Sequence, residues 1–235
     1  MRLESFLLNE SRSKAISQDD IVKLISTKHS DSFEAAKNGI LMYRGLRTSS
    51  SPTLLVKPST SETDRRSANT SNHYTLLMDN LPCWKDYPKR SKSLICTTSI
   101  GTANGYGRVF VVLPANEAKI AVCPTYDLWE SFIPKIRSMD DFNDLFIRLG
   151  IDDTSWNGFI SDVKYQIDKA LKKNDYNVLT LLEITGFFED DVIKIREMGL
   201  INFLNEYLDP KKYNFKLEKM SSNISLPKHR EYGLS

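Results

Sequence analysis

Arg44 is the residue whose setting most invites chemistry. It follows the apolar run Ile40-Leu41-Met42, and the stretch is bounded by Gly39 and Gly45. That pattern predicts a short buried strand that delivers one guanidinium at its far end. A guanidinium held there by a sheet is a rigid fork for a phosphate or carboxylate. Gly45, having no Cβ, would let a ligand approach the backbone closely. The plainer alternative is a strand-end arginine paired to a local carboxylate.

Two further groups give the arginine company. Ser93-Leu94-Ile95-Cys96-Thr97-Thr98-Ser99 is β-rich and ends in three hydroxyls. Between Arg44 and this run, residues 65–92 carry six basic against two acidic side chains, interleaved with Trp84 and Tyr87. There Arg65, Arg66, Asn69 and Asn72 would enter or line a helix on which Tyr74, Leu77 and Met78 share a face. Such a mixture suits recognition of a phosphorylated aromatic ligand; the alternative is a surface loop pinned by its aromatics. Ala103-Asn104-Gly105-Tyr106-Gly107 reads as a tight turn or short helix that offers Tyr106 as a wall.

The elements that must position these groups are predicted as follows. Ser17-Gln18-Asp19-Asp20 opens a helix with Ile21, Leu24 and Ile25 at helical spacing. A second helix over Ser32–Lys37 closes on Asn38-Gly39. Residues 48–72 are Ser/Thr-rich, a loop with one edge strand at Leu54-Leu55-Val56. Residues 108–113 and 118–122 read as neighbouring strands around the turn Pro114-Ala115-Asn116-Glu117. Helical patterns then run over 140–149, 155–172 and 192–207, their apolar stripes being core packing. Glu189-Asp190-Asp191 is an acidic helix start, and residues 224–235 could supply one last short strand. The expected class is α+β, one domain over 1–235: N-terminal helices at 1–38, a β-rich core at 39–126, a helical insertion at 127–223 and a closing strand at 224–235.

Composition narrows the function classes. The chain has 235 residues, 40% hydrophobic and 26% charged, with a net charge of +2. Residues 1–100 hold 15 Lys+Arg against 10 Asp+Glu, so the basic excess lies on the side of Arg44 and favours an anionic ligand. No apolar run approaches the roughly 18 residues a membrane span needs. The first ten residues make a poor signal peptide. Cys83, Cys96 and Cys123 are odd in number and lack CxxC spacing; they read as reduced thiols of a cytosolic protein. His29, His73 and His229 are scattered, so no metal site is expected.

A strand ending in Tyr43-Arg44-Gly45, a strand ending in Thr97-Thr98-Ser99, and then an Ala-x-x-Tyr-Gly turn with paired strands together resemble the ADP-ribosyltransferase superfamily. The branch in question has an arginine, a Ser-Thr-Ser strand and a late glutamate as its signature. The resemblance covers about residues 39–122 and implies a split β-sheet core with NAD as co-substrate. It gives Arg44 the NAD phosphate and the placing of the nicotinamide ribose. It makes Thr97-Thr98-Ser99 a threonine-first version of the hydroxyl strand, with Thr97 and Ser99 orienting ribose hydroxyls or the carboxylate and Thr98 beside the cofactor. Arg66, Asn69, Asn72, Tyr74 and Tyr106 are then candidate cofactor contacts, with Gly45.

Nicotinamide–ribose cleavage builds positive charge on the ribose, so the reaction needs a carboxylate beside it. No Glu-x-Glu, the family's usual form, occurs in the chain. Glu231, in Arg230-Glu231-Tyr232, resembles a closing-strand glutamate and is preferred; Asp127 is the alternative. Glu231 could also be a plain terminal residue, and Asp127 a helix N-cap.

Met1 to Ile25 also resembles the starts of small proteins of T4-like and other tailed phages. The expected activity is mono-ADP-ribosylation of a host protein or nucleic acid by a phage effector, in the host cytoplasm or carried in the virion. Two alternatives remain: a catalytically inactive binding protein of the same fold, serving counter-defence or the virion, and a nucleic-acid-binding protein using residues 65–92.

Overall fold

The computed structural model describes residues 14–15, 17–47, 53–55, 71–125, 130–132 and 139–226. Two compact units share the chain. The first comprises Met1–Asp64, Lys92–Asp127 and Phe215–Ser235; the second comprises Arg65–Ser91 and Leu128–Asn214. Helices and small antiparallel ladders coexist, so the class is α+β.

In the first unit, the two-residue strand β1 (Lys14–Ala15) precedes helix α1 (Gln18–Lys28). Ser17 caps α1: its Oγ accepts the Asp20 N–H at 3.2 Å and donates to the Asp20 carboxylate at 2.7 Å. This satisfies one of the amide groups that every helix start leaves without a partner. Helix α2 (Ser30–Lys37) stops at Gly39, whose φ of +83° few side-chain-bearing residues adopt. The turn lets Ile40 N–H reach the Ala35 carbonyl at 2.9 Å and starts the chain toward β2 (Tyr43–Leu46).

β2 pairs antiparallel with β4 (Arg108–Val111), with Tyr43 opposite Val111 and Arg44 opposite Phe110. β1 pairs with β3 (Leu54–Leu55), and β5 (Lys119–Val122) pairs with β6 (Lys216–Lys219). Buried Ala35, Met42, Met220 and Ile224 form the core of this unit, with Ile40, Cys96, Val112 and Ile120 packed against them. Each aliphatic side chain so buried contributes on the order of 1.5–3 kcal/mol.

Three strand expectations are corrected here. The segments at 108–113 and 118–122 do not pair with each other, because the turn between them bonds elsewhere. Asn116 N–H goes to the Lys28 carbonyl at 2.8 Å and Glu117 N–H to the Met220 carbonyl at 3.2 Å. The partner of β5 is instead Lys216–Lys219, inside the stretch expected to be a helical insertion. The polar sequence Lys-Leu-Glu-Lys gave it no strand signal. Finally, Ser93–Ser99 is not a full strand: it starts after a 3-10 turn at Arg90–Lys92 and makes one isolated bridge, at Thr97. Residues 224–226 form no strand, and 227–235 lie outside the described residues.

The second unit is helical. It contains α3 (His73–Asn80), α5 (Met139–Arg148), α6 (Trp156–Asp162), α7 (Lys169–Lys172), α8 (Tyr176–Ile184), α9 (Glu189–Met198) and α10 (Leu200–Tyr207). The short helix α4 (Ile100–Asn104) belongs to the first unit. Leu145, Phe146, Phe159, Val163, Ile167, Leu171, Leu182, Ile195, Leu200 and Leu204 are at most 0% exposed, as the apolar stripes predict.

Between α6 and α7 the chain runs as a π-helix over Val163–Asp168. The widened turn leaves Asp168 Oδ1 to accept the Leu200 N–H at 2.9 Å, which caps the start of α10. The pattern expected as one helix over 192–207 is two, broken at Gly199 with φ +82°.

Candidate functional site

Arg44 lies on β2, in the middle of a three-part arrangement. On one edge β4 pairs with it; on the other, Tyr43 N–H donates to the Thr97 carbonyl at 2.7 Å and the Tyr43 carbonyl accepts from Thr97 N–H at 3.0 Å. Arg44 is thereby next in sequence to the residue that pairs with Thr97, whose side chain lies on the Tyr43 face of the strand. Arg44 Nη1 donates to the Ile95 carbonyl at 2.9 Å. Because side chains alternate along strands, Arg44 shares its face with Phe110, directly opposite, and with Arg108 two residues along β4. The Arg108 guanidinium stands 5.5 Å from the centre of the Phe110 ring. One guanidinium, that of Arg108, stands over the Phe110 ring, while the Arg44 guanidinium reaches the opposite edge of β2. Sequence reading passed over Arg108 and Phe110 as ordinary strand residues; only the register puts them beside Arg44.

Gly45 needs a different explanation from the one expected. A Cβ there would come 1.9 Å from the Ala103 carbonyl oxygen and 2.9 Å from the Tyr106 Cβ. Ala103 is 1% exposed. The backbone that approaches Gly45 is that of α4, so the glycine admits a helix, and no ligand reaches it on that side. Gly107, at φ +126°, serves the same packing: a Cβ there would meet the Leu46 carbonyl at 2.6 Å.

The hydroxyl run is half-buried. Thr97 Oγ1 accepts the Ser99 N–H at 3.1 Å. Ser99 Oγ caps α4, accepting from Thr102 N–H at 3.2 Å and from the Thr102 hydroxyl at 3.0 Å. Ser99 is therefore already committed to a helix start. Tyr106 follows α4 and is 50% exposed, so its ring has a free face.

The remaining cofactor-contact residues go elsewhere. Asn72 and Tyr74 belong to the second unit, where Tyr74 is 1% exposed and has no ring face to offer a ligand. Asn72 is bound to the Asp153 loop through Nδ2, which donates to the Asp153 carbonyl at 3.0 Å. Trp84 and Tyr87, read as possible stacking groups, are core residues: Trp84 Nε1 donates to the Leu208 carbonyl at 3.0 Å and the two rings meet edge-on at 5.3 Å. Arg66, Asn69, Asp127 and Glu231 lie outside the described residues, and so does Arg65.

One polar group, read in the sequence only as one of three scattered histidines, has a specific buried setting. His73 is 2% exposed, set between Phe146 and Phe159 at 5.1 and 5.8 Å. Its Nε2 is 2.9 Å from the Ile151 carbonyl and its Nδ1 2.7 Å from Ser71 Oγ, which also meets the Asn143 amide. Burial pulls its pKa below the usual 6.5, against the bond to Ile151 and the nearby charges of Asp153 and Asp152. Burial likewise pushes the Cys83 thiol up to about 12, which makes it inert as a nucleophile. Among the described residues, no cluster of His, Cys, Asp or Glu could hold a metal, and no helix is long and apolar enough to cross a membrane.

No family model, no curated protein and no solved structure matches this chain.

Proposed function

We propose that the chain is an NAD-dependent mono-ADP-ribosyltransferase whose cofactor sits on the Arg44 face of β2, and whose acceptor is a host protein or nucleic acid. The observation that carries this reading is the strand-held Arg44 guanidinium on the sheet face that also carries Phe110 and Arg108. Two arginines and an aromatic residue on one sheet face suit a pyrophosphate joined to planar bases: the forks bind phosphate oxygens and the ring stacks. In this reaction Arg44 holds the pyrophosphate and so fixes the ribose. A carboxylate supplied by Glu231 or Asp127 stabilises the charge that develops as nicotinamide leaves.

Labelled NAD incubated with the purified protein and a bacterial lysate tests this. Arg44→Ala should lower NAD cleavage by about 100-fold or more. Arg108→Ala should chiefly raise KM, because it removes one phosphate contact and leaves the reacting ribose in place. Full activity in Arg44→Ala would overturn the assignment.

The commitment of Ser99 to capping favours a second reading, a binding protein of the same arrangement that holds NAD or an ADP-ribosylated molecule without cleaving it. Binding of ADP-ribose with no release of nicotinamide would decide for it.

A further inference from the structure

The π-helix over Val163–Asp168 and the helix α7 that continues it bury Val163, Ile167 and Leu171 along one side. Away from that side Lys164, Tyr165, Lys169, Lys172 and Lys173 are exposed. The Lys169 N–H bonds back to the Lys164 carbonyl, so the widened turn sets Lys164 and Lys169 one above the other. The Lys169 ammonium also stands 4.7 Å from the centre of the Tyr165 ring. Lys172 and Lys173 follow at the three- and four-residue spacing that keeps them near Lys169. Asn174, at φ +54°, ends the helix, and Tyr176 opens α8 immediately afterwards. Tyr165 is 68% exposed and Tyr176 78%, so neither ring serves the core.

The charge of this stripe is left open. Residues 164–176 hold four lysines against two aspartates, and both aspartates cap helices. Asp168 Oδ1 accepts the Leu200 N–H at 2.9 Å, and Asp175 Oδ1 accepts the Asn177 N–H at 2.9 Å. Among the described residues, no carboxylate forms an ion pair with Lys164, Lys169, Lys172 or Lys173. A solvated helix end accounts for the lysines, but not for two tyrosines standing open beside them. The basic stretch at 65–92 lacks this combination, because Trp84 and Tyr87 are buried.

We propose that this stripe binds single-stranded nucleic acid, with the lysines on backbone phosphates and Tyr165 and Tyr176 stacked on bases. A duplex keeps its base faces stacked on one another and offers these rings nothing to cover. A lipid surface fits less well, since the large aliphatic side chains of the stretch, Ile167 and Leu171, point into the core and none is left to enter a bilayer. The stripe lies wholly in the second unit and shares no residue with the Arg44 site, so it stands or falls independently of the NAD reading.

Fluorescence anisotropy of the full chain with a labelled single-stranded DNA of about 20 mixed bases tests the proposal. Affinity should fall by about 50-fold between about 50 and 200 mM salt, as expected for four lysine–phosphate contacts on a single strand. Lys169→Ala combined with Lys172→Ala should reduce that fall to about sevenfold. Tyr165→Ala and Tyr176→Ala should each weaken binding by about tenfold at fixed salt, whereas Tyr165→Phe and Tyr176→Phe should bind as the parent does, because the ring stacks and the hydroxyl does not. Thermal unfolding of each variant separates a lost contact from a lost fold; should Tyr165→Ala disturb the π-helix, Tyr176→Ala decides. Absence of binding at the lower salt, full affinity in the alanine variants, or equal affinity for a duplex of the same sequence would overturn the proposal. Capture by phosphatidylserine vesicles without capture of the oligonucleotide would overturn it in favour of a membrane surface.

Discussion

One added methyl group at Gly45 would stand 1.9 Å from the Ala103 carbonyl oxygen, an atom of the backbone that cannot rotate away. Gly45→Ala should therefore destabilise the first unit by about 3 kcal/mol, as a shift in the urea midpoint with little change in slope. A ligand-approach role predicts instead a stable protein with weakened binding. His73 supplies a second test at this scale. The folded ring resists protonation, while in the unfolded chain it takes a proton near the ordinary 6.5. Its contribution is therefore complete above that value, and stability falls as the pH drops below it, until the folded ring itself protonates. Thermal unfolding followed from about pH 8 to pH 5 should show this loss, and His73→Gln should flatten it. Residue types announced the strand that carries Arg44, because an apolar run between Gly39 and Gly45 reads as a short strand. They could not announce His73, whose environment comes from Phe146, Phe159 and Ile151, far along the chain.

At the scale of elements, α4 is too short to hold itself and depends on its cap. Ser99→Ala should cost about 1 kcal/mol, whereas Ser99→Asp keeps an acceptor for Thr102 N–H and should cost little. If Ser99 also touches the cofactor, the aspartate variant should retain stability yet lose NAD binding, since its charge opposes the phosphates. Chemical denaturation and calorimetry on the same variant separate the two roles. Helices were legible wherever caps and apolar spacing agreed: Ser17, Gly39 and the stripe through Phe159, Val163 and Ile167 each have a local cause. Strand pairing was not legible. The partner of β5 is set by the Met220 and Ile224 core behind it, and a sequence such as Lys216-Leu217-Glu218-Lys219 carries almost no alternation to read. The run 93–99 has residues that favour a strand, yet it meets β2 in one isolated bridge, at Thr97.

At the scale of the whole molecule, Trp84, Trp129 and Trp156 all fall within the segments of the second unit. Tryptophan fluorescence should therefore follow that unit, while far-ultraviolet circular dichroism follows both. Gly45→Ala is expected to shift an early part of the dichroism transition and leave the fluorescence midpoint within error. Coincident shifts in both signals would mean that the units unfold together. The functional assignment divides along the same line, since Arg44, Thr97, Tyr106, Phe110 and Arg108 belong to the first unit, and Asn72 and Tyr74 serve the second.

The pairing of β5 with β6 has a consequence for how the chain is made. Lys119 finds its partner Lys219 about 100 residues later, beyond the larger segment of the second unit. A ribosome therefore releases the whole of Leu128–Asn214 before the first unit has its last strand. The helical unit, rich in local contacts, can mature on the nascent chain while the unit begun earlier waits with one ladder open. The half of the protein that is synthesised first is the half that finishes last.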